Sequence, residues 1–237
     1  PLRIMTNLSN TYIFNNNIYS IGPSNCGYNF VKLFLTKKNN IKSFLDIGCG
    51  NGMTLDLMNK EVDYLGVDAN VGIYKKKKNI KIKYFKNAHK TELYLNSHKK
   101  KYNCVALMDV LEHTDTFLKL FTIGLNKSND YVVVGLPNED YIISRLKFLF
   151  GGGITSHGLE TIHYKPGHKH QWLIQYKVAS KLLEKHSKKY KFKLEYTSFY
   201  INQPKNFLKR FIYKIGLFFL PLHLQTNNFC MVFKKIK

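Results

Sequence analysis

Arginine is scarce in this chain: of 37 basic side chains only Arg3, Arg145 and Arg210 are arginine, and the rest are lysine. A surface built to grip phosphates bidentately draws on the planar guanidinium, so the shortage argues against a dedicated nucleic-acid groove despite a formal charge of +22. The lysines come with many Asn, Ile, Tyr and Phe, all encoded by A/T-rich codons. A genome low in G+C yields that profile with no selection for phosphate. "KKKK" at 75–78 and "HKKKY" at 98–102 then read as polar ends of surface elements. Weak attraction to RNA or anionic lipid follows from the charge as a side effect.

Cysteine is sparse too. Cys26, Cys49, Cys104 and Cys230 lie far apart and form no CxxC pair, so neither a disulfide framework nor a zinc knuckle is indicated and a reducing cytoplasm is the expected location. No run approaches the roughly 20 apolar residues of a membrane span, and "PLRIMTNLSNTYIFNNN" lacks the apolar core of a signal peptide. At 237 residues, 44% hydrophobic and 14% aromatic, the chain is expected to build one domain with a sizeable core.

Strand-length apolar runs alternate with helical patterns. Strands are expected at 43–48, 63–68, 80–85, 104–109 and 131–137, with helices at 54–60, 91–98 and 116–125 between them. A helix at 27–38 leads in; a late helix at 178–189 and strands at 190–199 and 228–236 complete the set. Such alternation implies an α/β fold with a mostly parallel sheet and helices on both faces. Ligands of these sheets sit beyond the carboxyl ends of the strands, so the strand tips are where function should lie.

At the first tip stands "DIGCGNG", with Asp46 ending the strand and Gly48, Gly50 and Gly52 in the turn. Three glycines so close suggest a tight bend or a ligand that must come near the backbone. The next strand ends at Asp68, twenty residues after Gly48, where an acid accepts hydrogen bonds from ribose hydroxyls. The third glycine comes one position too early for a dinucleotide fingerprint. A carboxylate at Asp46 would also repel a pyrophosphate and suit a cation. S-adenosylmethionine (SAM) satisfies both points: its ammonium and sulfonium are positive, its ribose would reach Asp68, and its carboxylate could use the helix start. Asp46 and Asp68 as simple helix caps are the competing reading.

"FLDIGCGNG", "YLGVDAN" and "CVALMDVLEHTDTFLKLF" together resemble the class I SAM-dependent methyltransferases over roughly residues 40 to 200, especially the branch with ubiquinone-pathway and polysaccharide-associated enzymes. The resemblance implies a Rossmann-like seven-stranded sheet at 41–237, an N-terminal lead-in and helix at 1–40, and an acceptor-side insertion at about 139–175. It implies a cofactor site of Asp46, Gly48, Cys49, Gly50, Gly52, Asp68 and Ala69, with Asp109 beside the cofactor. Asn87 stands where the family usually has an Asp near the adenine amino group. "GLPN", ending at Asn138, resembles the family's acceptor-side "xPN".

Methyl transfer to a hydroxyl needs alignment and a group to take the proton. His113 in "LEH" is the first candidate base, with His168 and His170 of "GHKHQW" as alternatives; Glu112 and His113 could instead cap the helix that follows. The expected acceptor is a small molecule, lipid or glycan, and no metal is assigned. An RNA acceptor is the alternative, because Asp109, Glu112, His113, one of His168 and His170, and Trp172 partly echo the metal-dependent 2′-O-methyltransferases of small-RNA 3′ ends. "NFLKRFIYKIGLFFLPLHL" at 206–224 is amphipathic enough for peripheral membrane contact or for packing on the sheet.

Overall fold

The computed structural model describes residues 4–5, 11–14, 17–22, 26–38, 40–69, 81–154, 157, 169–202 and 220–236. Among these, the chain forms β1 (Ile4–Met5), β2 (Thr11–Phe14), β3 (Asn17–Gly22), α1 (Cys26–Lys37), β4 (Ser43–Ile47), β5 (Asp63–Asp68), β6 (Ile82–Tyr84), α2 (Ala88–Ser97), β7 (Tyr102–Met108), α3 (Phe117–Lys127), β8 (Ser128–Pro137), α4 (Ile142–Leu149), α5 (Tyr176–Lys188), β9 (Phe192–Asn202) and β10 (Asn228–Lys235). One sheet runs in the order β1-β2-β3-β9-β10-β8-β7-β4-β5-β6. Its seven strands from β9 to β6 are the expected Rossmann-like sheet. Strands β4 to β8 pair in parallel, and β10 lies antiparallel between β8 and β9.

The parallel strands are buried on both faces, and alternate residues divide between two cores. Leu45, Ile47, Val105, Leu107, Val132 and Val134 face α3 and α5 through Leu120, Phe121, Ile123, Ala179 and Leu183. Phe44, Tyr64, Cys104, Ala106 and Val133 face the opposite way, toward Phe30, Val31 and Phe34 of α1. Leu45 and Ile47 are essentially inaccessible, and each such side chain contributes about 1.5–3 kcal/mol. Because side chains alternate along a strand, a one-residue slip would exchange these sets and is disfavoured.

Two elements differ from expectation. The helix expected at 54–60 is a 3₁₀ segment, Met53–Leu57, left by Met58 in extended conformation. Leu55, Leu57 and Met58 pack only half-buried against the α1-side core, which gives little reward for further turns. The lead-in, read only as an approach to α1, contributes β1–β3, with β3 pairing in parallel with β9 beyond the seven-stranded core. These strands are only two to six residues long, too short for periodicity to mark them in sequence.

Candidate active site

Strand order reverses at β4: β5 and β6 lie on one side, β7 and β8 on the other. That switch point opens a crevice beyond the tips of β4 and β7. The glycine turn lies at its edge. Gly48, Gly50 and Gly52 have φ of 77°, 56° and 78°, a left-handed conformation that side chains resist. At Gly48 the space is also taken, since a Cβ would stand 2.4 Å from Val110 Cγ2. Backbone N–H groups of Gly48 and Cys49 donate to the Val67 carbonyl at 2.8 and 3.2 Å, pinning the turn to β5. The Gly50 N–H donates to Asp68 Oδ2 at 2.8 Å. A five-residue 3₁₀ segment carries little dipole, so the amides of this turn, rather than a helix end, are what an anionic group would meet.

Asp46 is almost fully buried under the turn and accepts a 2.9 Å hydrogen bond from the Tyr64 hydroxyl. Burial raises its carboxyl to about 6 against the pull of Tyr64 and Thr54, and the charge of Asp68 adds to the rise. Asp68, half-buried, is also raised by burial, with the Gly50 N–H opposing. Two acids held at a cost beside a left-handed glycine cradle fit a ligand that brings positive charge and a diol, as SAM does. Cys49 is buried against Gly66, its Sγ 2.9 Å from where a Cβ there would lie, and burial pushes its thiol up. Ala69 is half-buried after β5. Asn87 is exposed and caps α2, accepting from the Lys90 N–H at 2.9 Å.

Across the crevice Asp109 adopts φ +53°, a conformation Asp tolerates better than most residues. It is solvent-accessible on one side, while the protein packed around the rest of it raises its carboxyl to about 6. Three residues on, Glu112 is 1% exposed and its Oε2 has no hydrogen-bond partner among the described residues. Burial first, and the charge of Asp109 second, push it well above the carboxylate range. His113 Nδ1 lies 2.9 Å from the Lys169 carbonyl. A carbonyl only accepts, so Nδ1 carries hydrogen and the lone pair of the neutral ring sits on Nε2, 3.8 Å from Glu112 Oε1.

The strip 169–172 is fastened to 112–114. The Gln171 N–H donates to the Glu112 carbonyl at 2.7 Å, the Gln171 amide to the His113 carbonyl at 3.0 Å, and Trp172 Nε1 to the Thr114 carbonyl at 2.7 Å. This brings His170 to His113, ring centroids 4.9 Å apart and edge to face. Burial, then the neighbouring His113 and His157, lower His170 to about 4, so its ring is neutral at physiological pH. His168 lies outside the described residues, as do "KKKK" at 75–78 and most of the 206–224 segment. No described helix is long and apolar enough to cross a membrane.

Asn138 does not line the acceptor side. It is buried and ties the end of β8 down, donating to the Thr226 carbonyl at 2.8 Å and accepting from the Tyr176 N–H at 3.3 Å. Its neighbour Glu139, absent from the sequence reading, does face the histidines: Oε1 is 3.5 Å from His157 Nε2 and 3.9 Å from His170 Nδ1. Reading one residue past the β8 tip would have found Glu139, whereas nothing in the spacing marks His157. A cleft of about 430 Å³ lined by Asn129, Lys193 and Lys234 sits at the opposite ends of the strands and holds none of these groups.

A family model described as "Methyltransferase domain" matches residues 26–178. No curated protein matches the sequence. Among solved structures, a SAM-dependent methyltransferase from Archaeoglobus fulgidus is 19% identical, with 88% of this chain and 94% of that one covered and a TM-score of 0.55. The methyltransferase domain of the bacterial CtHen1-C is 18% identical over 89% and 97%, with a TM-score of 0.52. The plantazolicin methyltransferase BpumL, bound to a monoazolic desmethyl analogue and SAH, is 19% identical over 90% and 83%, also with a TM-score of 0.52. At these identities the likeness is one of fold.

Proposed function

Because the chain belongs to the methyltransferase-domain family, we propose that it is a SAM-dependent enzyme that methylates a hydroxyl oxygen of a small-molecule, lipid or glycan acceptor. The supporting observation is the meeting of two groups at adjacent strand tips: the left-handed glycine turn with Asp68 on one side, and Glu112, His113 and His170 on the other. The first group suits a nucleoside carrying positive charge. The second suits an oxygen that must lose a proton.

When bound, SAM supplies a sulfonium-activated methyl group, whose C–S bond breaks as the C–O bond forms and whose electron pair stays on sulfur. The chain's part is to align and to handle the proton. Asp68 and the turn hold the nucleoside end. His113 Nε2, oriented by the Lys169 carbonyl, takes the hydroxyl proton. Alignment of this kind can account for roughly 7–11 kcal/mol of a barrier in favourable cases.

The α4 helix, which leaves the β8 tip on the acceptor side, exposes Ile143, Leu146 and Leu149, with Phe148 and Phe150 beside them. That face supports an acceptor with an apolar part. A ribose hydroxyl of RNA is the second reading, favoured by the ligand-like spacing of Glu112, His113 and His170, whose donor atoms lie within 4.8 Å of one another. The scarcity of arginine and Asp109 in place of a Glu weigh against it.

Labelled methyl transfer from SAM into a cell extract, with and without nuclease pretreatment, tests the reading. Label that survives nuclease and partitions into lipid, glycan or small-molecule fractions is expected. Label lost with nuclease would replace the acceptor by RNA, and no label in any fraction would overturn the enzymatic reading.

A further inference from the structure

Glu139, His157 and His170 come from three stretches of chain and bring their donor atoms together. Glu139 follows the β8 tip, where its N–H donates to the Ile174 carbonyl at 2.8 Å. His157 lies beyond α4. That helix ends at Leu149 and is turned off by Gly151, with φ +82°, the Gly152 N–H closing on the Lys147 carbonyl at 2.8 Å. The His157 N–H in turn donates to the Ile154 carbonyl at 3.2 Å. His170 rides on the strip fastened to 112–114. The donor atoms of all three lie within 4.8 Å of one another.

Each of these side chains is 13–17% exposed. Buried polar atoms normally find hydrogen-bond partners. Among the described residues His157 Nε2 and His170 Nδ1 make no hydrogen bond, their contact being the Glu139 carboxylate at 3.5 and 3.9 Å, and neither does Glu112 Oε2, on a residue only 1% exposed that shares a second ligand-like group with His170. Lone pairs that converge on one space without a hydrogen bond are what a cation would satisfy.

We propose that Glu139, His157 and His170 bind one divalent transition-metal ion, with Glu112 the buried carboxylate beside it. Two imidazole nitrogens and one carboxylate oxygen suit zinc, manganese or iron, whereas magnesium and calcium prefer oxygen throughout. Bonds of about 2.0–2.2 Å hold ligands roughly 3–4 Å apart, so the pairs at 3.5 and 3.9 Å need little adjustment. Three protein ligands leave an open position. The role of that position rests on the methyl-transfer reading: it takes the acceptor oxygen and draws electron density from it, which eases release of the proton to His113. The ligand set differs from the Glu112, His113 and His170 group that the RNA-modifying resemblance suggests.

The test uses the full chain, stripped with EDTA and titrated with zinc or manganese chloride in the absence of SAM and acceptor. One bound ion per chain is expected, by elemental analysis after dialysis and by calorimetry. His157→Asn and Glu139→Gln should each lower the affinity at least about 100-fold, and Glu112→Gln should weaken it less, as an outer partner does. Circular dichroism and SAM affinity report whether each variant is folded. A wild-type chain that retains no ion overturns the site. So does unchanged affinity in folded His157→Asn and Glu139→Gln, or a greater loss in Glu112→Gln and His113→Gln than in either. Methyl transfer by the metal-stripped chain would sink the ion's role and leave the methyltransferase reading intact; an ion held by a chain that transfers nothing would do the reverse.

Discussion

Asp68 accepts the backbone N–H of Gly50 at 2.8 Å, so the acid placed to hold a ribose also holds the turn that would lie under the same ligand. One carboxylate oxygen serves the fold, and the group as a whole serves the cofactor. Asp68→Asn keeps an acceptor for Gly50 and discards the charge. SAM affinity should fall about 10- to 100-fold, the worth of a hydrogen bond to a charged group, while far-UV circular dichroism stays unchanged. Unaltered affinity by calorimetry would take the ribose away from Asp68.

Asp46 has a folded-state value near 6, above its ordinary range. The folded chain therefore binds this proton more tightly than the unfolded chain. Its contribution to stability is greatest at acid pH and is lost as pH rises through about 6. Asp46→Asn removes the penalty and should raise stability at pH 8 by about 1–3 kcal/mol, with little change at pH 4. It also removes a negative charge facing a cationic ligand, so SAM should bind about tenfold more weakly at pH 8. For the same reason wild-type affinity for SAM should decline as pH falls below about 6. Denaturant titrations and calorimetry at the two pH values check this, and equal destabilisation at both would contradict it.

At Gly48 two costs coincide, the left-handed backbone and the 2.4 Å approach of a Cβ to Val110 Cγ2. Gly48→Ala should destabilise the chain by about 2–4 kcal/mol, combining conformational strain and overpacking. Adding Val110→Ala should return the steric part and leave the conformational part, so the pair is expected to be non-additive. Strict additivity in thermal unfolding would mean that the two residues do not press on each other.

His113→Gln should reduce methyl transfer by at least about 100-fold with SAM affinity unchanged, the usual scale for a lost acid–base group. Activity within a few-fold of wild type would remove His113 from proton transfer.

Trp172→Phe keeps the ring beside Phe117 but loses the 2.7 Å bond from Nε1 to the Thr114 carbonyl. The strip carrying His170 should loosen at a cost of about 1 kcal/mol. Turnover should fall several-fold while SAM affinity holds; a change confined to SAM affinity would show that the strip serves the cofactor instead.

Asp46, Gly48, Gly50, Gly52 and Asp68 were legible because their signals are local: glycine where φ must be positive, an acid at the end of an apolar run. The edges of β5 coincide with the expected strand because a continuous buried run, Tyr64 to Val67, stops at a charged residue on each side, Asp63 and Asp68. The helical spacing of "TLDLMNK" yields only a 3₁₀ segment because Leu55, Leu57 and Met58 pack no more than half-buried against the core. Which way Asn138 points is not legible in the sequence, because a strand tip does not say how its side chain turns. It turns inward, to the carbonyl of Thr226.

The sequence alone determined the parallel sheet, the glycine turn and the acids beside it, since periodicity and backbone preference act over a few residues. Only the tertiary structure decided that Glu139, His157 and His170 share one space, that the 169–172 strip orients His113, and that the N-terminal strands extend the sheet. Those arrangements depend on contacts between segments far apart in the chain, which no local pattern encodes, because they are set by how elements pack once their apolar faces are buried.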